Sequence, residues 1–122
     1  NISLLGAKPY QEVAAYMQHW QVSILPFNVI RKEVIASDPL KIREYLAAGR
    51  PIVVTNFPVM QQFSEVVTIA DSHDDFINAV ASYCQGNDAI GTKKRQQWVE
   101  NDSWETRAQS MQKVFTDNAI TT

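Results

Sequence analysis

Glu44 is the residue in this chain whose type and setting best suit it to hold a small molecule. A carboxylate carries two acceptor oxygens, so one acid can receive hydrogen bonds from two neighbouring hydroxyls at once, such as the 2′ and 3′ hydroxyls of a ribose. One turn before it lies a helix start. Asp38 is a good N-cap residue and Pro39 suits the first helical position, so the segment Ser37 to Lys41 offers unpaired amides and the positive end of a helix dipole to a phosphate. Pro39 has no amide hydrogen, which leaves Asp38, Leu40 and Lys41 as backbone donors, while Ser37 can add a hydroxyl and Lys41 a charge. Each residue also has a plainer role. Glu44 and Lys41 stand at i, i+3 as a surface ion pair, Asp38 caps the helix, and Ser37 turns the chain.

Other reactive side chains are scattered. Gly6, Ala7 and Lys8 form a loop after an apolar run, either a ligand-facing loop or a tight turn, and Pro26-Phe27 closes a second run at the edge where open parallel sheets bind ligands. Phe27 is expected in the core, and Arg31, Lys32 and Glu33 on a solvated loop. His19 and His73 have no second ligand at metal-binding spacing, and Cys84, the single cysteine, reads as a small core residue. The chain has no Gly-x-Ser-x-Gly, no phosphate-cradling Gly-Lys loop and no Gly-x-Gly-x-x-Gly. Metal, nucleophilic, ATP-hydrolysing and hydride-transfer chemistry therefore lack their usual motifs.

The elements that must position these residues alternate. Apolar runs at Ile2 to Leu5, Val22 to Phe27, Ile52 to Thr55 and Val66 to Ala70 are separated by segments of helical spacing, the pattern of a parallel α/β sheet. Helices are expected after Pro9 with Val13, Met17 and Trp20 on one face, from Asp38 to a left-handed stop at Gly49, and after an Asp74 cap with Phe76, Ile77, Val80, Ala81 and Cys84 inward. Two further helices close the chain, one through Lys93 to Val99 and one from Asp102, with Asp102 and Glu105 as a capping box and Trp104, Ala108, Met111 and Phe115 as an apolar stripe. The expectation is one Rossmann-like domain over residues 1–122, a parallel sheet with flanking helices that ends in two helices.

Composition narrows the class. The 122 residues are 45% hydrophobic and 20% charged with a net charge of −2, which argues against a nucleic-acid partner, and no apolar run approaches a membrane span. A lone cysteine suits a reducing, cytoplasmic compartment. The start at Asn1, directly before an apolar run, suggests a fragment of something longer.

The run Ser37-x-Pro39-Leu40-Lys41-x-x-Glu44-Tyr45-Leu46-Ala47-Ala48-Gly49-x-Pro51-Ile52-Val53, with Ile2 to Tyr10 upstream and Ser103 to Ala108 downstream, resembles the donor-binding half of the retaining two-Rossmann (GT-B) glycosyltransferases of the group 1 family. The resemblance implies the C-terminal part of an enzyme that moves a sugar from a UDP- or GDP-sugar to an acceptor, with no separate cofactor. It implies that Glu44 holds the nucleotide ribose, that Ser37, Asp38, Leu40 and Lys41 face the pyrophosphate, and that Gly6, Ala7 and Lys8 approach the base. Ala36 stands where the family's first Glu, which touches the transferred sugar, would fall. The family's diphosphate-clamping Arg and Lys belong to earlier units, and the reaction occurs between two domains. The partners implied are thus a nucleotide-sugar and a missing N-terminal domain, the isolated chain is expected to be inactive, and peripheral membrane association belongs to the full-length protein. The last helix, deprived of that domain, is expected to expose its stripe and drive self-association. The rival readings are a non-catalytic Rossmann-like binding or regulatory module and a structural domain that docks through the Trp104 stripe.

Overall fold

The computed structural model describes residues 1–117. It is an open, three-stranded parallel sheet flanked by helices, with strands β1 (Ser23–Leu25), β2 (Ile52–Thr55) and β3 (Thr68–Ala70) side by side in chain order. The α/β class and the helical ending agree with the sequence. Residues 118–122, the end of the expected 1–122 domain, lie outside the described residues.

β2 is the central strand, and its β-branched residues explain why. Ile52 and Val54 point into one core cluster with Leu25, Ile42, Leu46, Phe57, Met60 and Phe63, while Val53 points to the other face with Ala70 and Tyr83. A strand covered on both faces needs apolar residues at every position, which Ile52-Val53-Val54 supplies. Helix α3 (Leu40–Ala48) crosses from β1 to β2 over the first face, and a 3-10 helix, Pro58–Phe63, crosses from β2 to β3 on the same side. Helix α4 (His73–Cys84) covers the other face. Because β1 and β2 are parallel, α3 must begin on the side where the strands end.

Several expectations change here. Ile2 to Leu5 forms no strand; Ile2, Leu4 and Leu5 are exposed and no described segment pairs with them. A strand exists only as a member of a ladder, because unpaired amides and carbonyls gain more from water. Lys32–Ile35, expected in a loop, forms a short helix, α2, and the 3-10 helix was not anticipated. α1 (Tyr10–Met17) starts after Pro9 as expected, with Met17 as its buried residue.

The helix caps also shift. Ser72, not Asp74, caps α4: its Oγ accepts from the Asp75 amide at 3.1 Å. The buried face of α4 is Phe76, Ala79, Val80 and Tyr83, so Ile77, Ala81 and Cys84 are exposed; Cys84 is not a core residue. Phe76 and Val80 fit the same face as Tyr83 at i, i+4, i+7, and packing of the large Tyr83 ring against β2 and β3 sets the rotation. Gly49 ends α3 at φ 75° as expected.

α5 (Thr92–Glu100) lies against α3, and α6 (Trp104–Asp117) follows. At the start of α6, Ser103 is the residue whose hydroxyl accepts from the Thr106 amide, at 3.1 Å. Asp102 is not the cap, because its carboxylate is taken by two arginines. The Trp104, Ala108, Met111 and Phe115 stripe is exposed along its length, Trp104 at 74%.

Candidate functional site

Glu44 and the start of α3 line a cleft of about 650 Å³ between α1, α3 and the head of α6. Tyr10, Asp38, Leu40, Arg43, Trp104 and Arg107 share its walls, and the Tyr10 hydroxyl donates to Glu44 Oε1 at 3.5 Å. A second hollow of about 410 Å³ continues from Glu44 and Ala47 along α1. The Glu44 carboxylate forms no ion pair with Lys41 among the described residues, so the expected surface pair is absent and Glu44 is a wall of the cleft.

The expected phosphate donors are brought together only in part. Ser37 is spent: its amide and its hydroxyl both donate to the Val34 carbonyl, at 3.0 and 2.7 Å. Asp38 does not cap the helix. Arg43, one turn on, donates to both of its oxygens at 2.9 and 3.1 Å, and two bonds from a guanidinium cation outweigh the single amide bond of a cap. The amides of Asp38, Leu40 and Lys41 meet no acceptor among the described residues, which leaves the three expected donors open at the helix start. The Lys41 side chain is exposed and outside the cleft walls. Gly6, at φ 71°, Ala7 and Lys8 are also exposed; Lys8 Nζ lies 5.5 Å from the Tyr16 ring of α1 rather than beside Glu44.

Arg43 organises the cleft floor. It also donates to Asp102 at 2.6 Å, stacks over Phe63 at 5.3 Å, and shares Asp102 with Arg107, 2.6 Å away. Two acids hold the Arg43 guanidinium in its charged form, Asp38 foremost, and raise its pKa. At Asp102 burial pushes the pKa up, but Arg43 and Arg107 more than offset it and the net direction is down. With Arg43 and Arg107 neutralised by Asp38 and Asp102, Glu44 and Glu105 are the uncompensated charges of the cleft. Such a surface suits hydroxyl donors and offers no cation to a phosphate. The Tyr45 hydroxyl is pushed to a higher pKa by burial and by the neighbouring Glu44 charge.

α3 is held in place from behind by a charge that the sequence did not advertise. Arg95 of α5 is wholly buried, donates to both Asp88 oxygens at 2.7 and 2.6 Å, and donates to the Gly49 carbonyl at 3.3 Å at the negative end of α3. Arg95 in turn holds the Asp88 carboxyl below its ordinary range.

The sheet's own carboxyl edge carries a different and larger crevice. About 760 Å³ in volume, it is lined by residues just past the three strand ends, among them Phe27, Asn56 and Asp71, and by His73, Phe76 and Ile77 of α4. Glu44 does not line it: α3 packs with α5 on the other face of the sheet and turns Glu44 toward α1. Phe27 does reach it while packing edge-on to Phe57 at 5.4 Å. Asn56 and Asp71 belong to no motif in the sequence, yet the rule that parallel sheets bind ligands beyond their carboxyl ends points to the positions directly after β2 and β3. No group of three or more metal-ligating side chains occurs among the described residues, and no helix among them is long and apolar enough to cross a membrane.

Comparison of the chain with protein-family models, curated proteins and solved structures finds no match.

Proposed function

We propose that this chain is the nucleotide-sugar-binding part of a retaining GT-B glycosyltransferase of the group 1 family, acting on a UDP- or GDP-sugar. The observation that carries the reading is the pairing of an open helix start with a carboxylate a turn further on that has no ion-pair partner among the described residues. The amides of Asp38, Leu40 and Lys41 have no acceptor among the described residues, and Glu44 lines the adjoining cleft beside Tyr10. Ribose hydroxyls suit Glu44; the phosphates suit the amides at the positive end of α3. Among the described residues the cleft walls hold no unpaired cation, so the diphosphate charge is met from outside them, by the Arg and Lys that the family resemblance puts in an upstream unit. The same resemblance supplies an N-terminal domain to cover the exposed α6 stripe and to contribute the other wall of the reaction cleft.

The rival is a nucleotide-binding module without transfer activity. It draws on Ala36, which stands where an acid would contact the transferred sugar, and on Glu33, which is exposed and 3.9 Å from Arg31 rather than turned to the cleft. Both readings share the nucleotide site and differ in turnover. Titrating UDP and GDP by calorimetry into the chain and into Glu44→Ala tests the shared part. Losing charged hydrogen bonds to two ribose hydroxyls costs about 1–3 kcal/mol, roughly a fivefold to hundredfold loss of affinity. Equal affinity of both proteins for both nucleotides removes Glu44 from the site.

A further inference from the structure

The crevice at the carboxyl edge of the sheet is separate from the Glu44 cleft, and its chemistry differs. Among the described residues that line it are one carboxylate, Asp71, one imidazole, His73, and no Lys or Arg. The start of α4, which opens onto it, would ordinarily attract an anion, but its first turn already holds Asp74 and Asp75, and Ser72 caps it. A phosphate would therefore meet repulsion there. A metal ion would find one acid and one imidazole, short of the three such ligands that would hold it among the described residues, and a wholly apolar ligand would strand Asp71 and Asn56 away from water.

What remains is an uncharged molecule with an apolar face and several hydroxyls. Asn56 Nδ2 donates to Asp71 Oδ1 at 2.6 Å, and Asn56 Oδ1 accepts from Gln61 Nε2 at 2.9 Å. Those two bonds fix the amide and leave one Asn56 N–H and the second Asp71 oxygen open, a donor beside an acceptor. Neighbouring sugar hydroxyls, each of which both gives and takes a hydrogen bond, match that pair. The rings of Phe27 and Phe76 and the side chain of Ile77 supply apolar walls for the C–H face of a pyranose.

We propose that this crevice binds a neutral pyranose ring, held by Asp71 and Asn56 against Phe27 and Phe76. In the glycosyltransferase reading it seats the sugar of the acceptor, and that role rests on the reading above; the binding itself does not.

The test is an amide NMR titration of the chain with the methyl glycosides of α-glucose, α-galactose and α-mannose, up to tens of millimolar. At least one should give saturable shifts at Asn56, Asp71 to His73, Phe76 and Ile77. Asp71→Asn should weaken that binding tenfold or more, and Glu44→Ala should leave it unchanged. The amide spectrum reports folding of each variant, and Asn56→Ala replaces Asp71→Asn should the latter lose its dispersed signals. Absence of saturable shifts with all three glycosides overturns the proposal, as does binding that survives loss of the Asp71 carboxylate. Saturable shifts of the same amides by UDP also overturn it, since the crevice would then take the nucleotide. Failure of UDP and GDP to respond to Glu44→Ala, with glycoside binding intact, strikes the nucleotide reading alone.

Discussion

Asp88→Asn would leave the fully buried Arg95 guanidinium without its counter-charge. In the native chain Arg95 makes two short bonds to Asp88, at 2.7 and 2.6 Å, and one longer bond to the Gly49 carbonyl, at 3.3 Å, while Nε has no partner among the described residues. Almost all of its compensation therefore comes from one carboxylate. Removing one member of a buried ion pair costs about 3–5 kcal/mol, because the remaining charge stays desolvated. Asp88 is 24% exposed and asparagine keeps one acceptor oxygen, which places the cost at the low end, about 3 kcal/mol. For a domain of this size that is roughly a 10 °C fall in melting temperature. Urea unfolding followed by tryptophan fluorescence reads it well, since Trp98 packs on Phe63 with ring centroids 4.8 Å apart inside the same helix layer. Asp88→Ala combined with Arg95→Met should recover most of the loss, because an apolar side chain of similar reach needs no counter-charge. A cost for Asp88→Asn below about 1 kcal/mol, the level of an exposed pair, would refute the reasoning. So would a double variant no more stable than the single one.

Gly49→Ala should cost about 2 kcal/mol or more: φ is 75°, and a Cβ there would meet Thr92 Cγ2 of α5, so backbone strain and overpacking add; an unchanged thermal midpoint would show that α3 and α5 separate freely. Asp88 and Asp102 both titrate below the ordinary carboxylate range when folded, so the unfolded chain takes up protons at a higher pH than the native one. The stability these pairs supply is therefore complete above about pH 4 and is lost as pH falls further, through the folded values; denaturant midpoints across that range should drop, and less so in Asp88→Asn. With Trp104, Met111 and Phe115 exposed on one stripe of α6, the isolated chain should run above monomer mass in light scattering, and Trp104→Lys with Met111→Lys should return it to monomer.

Local chemistry was enough to place the elements that need only their neighbours in sequence. Gly49 followed by Pro51 stops α3 in any context, since few other residues accept a left-handed backbone and proline cannot extend a helix. Ile52-Val53-Val54 suits only a strand covered on both sides, and β2 is that strand. The open amides at Asp38, Leu40 and Lys41 follow from Pro39 and the helix start alone. Partners far along the chain decided the rest. Asp38 and Asp102 had the right type to cap helices, but Arg43, which is 59 positions from Asp102, binds both, and the caps pass to other residues or go unfilled. Arg95 reads as an ordinary polar residue of a helix until folding brings it under the carbonyl of Gly49, 46 positions away. Glu44 could be assigned to the helix after Asp38 from sequence, but its direction depends on how α3 packs against α5 and α1, a contact between segments that no local pattern encodes. Ile2 to Leu5 has the composition of a strand and no ladder to join. Propensity is a property of the residue, whereas a strand, an ion pair and a cleft are properties of two segments meeting, and only the tertiary structure supplies the second segment.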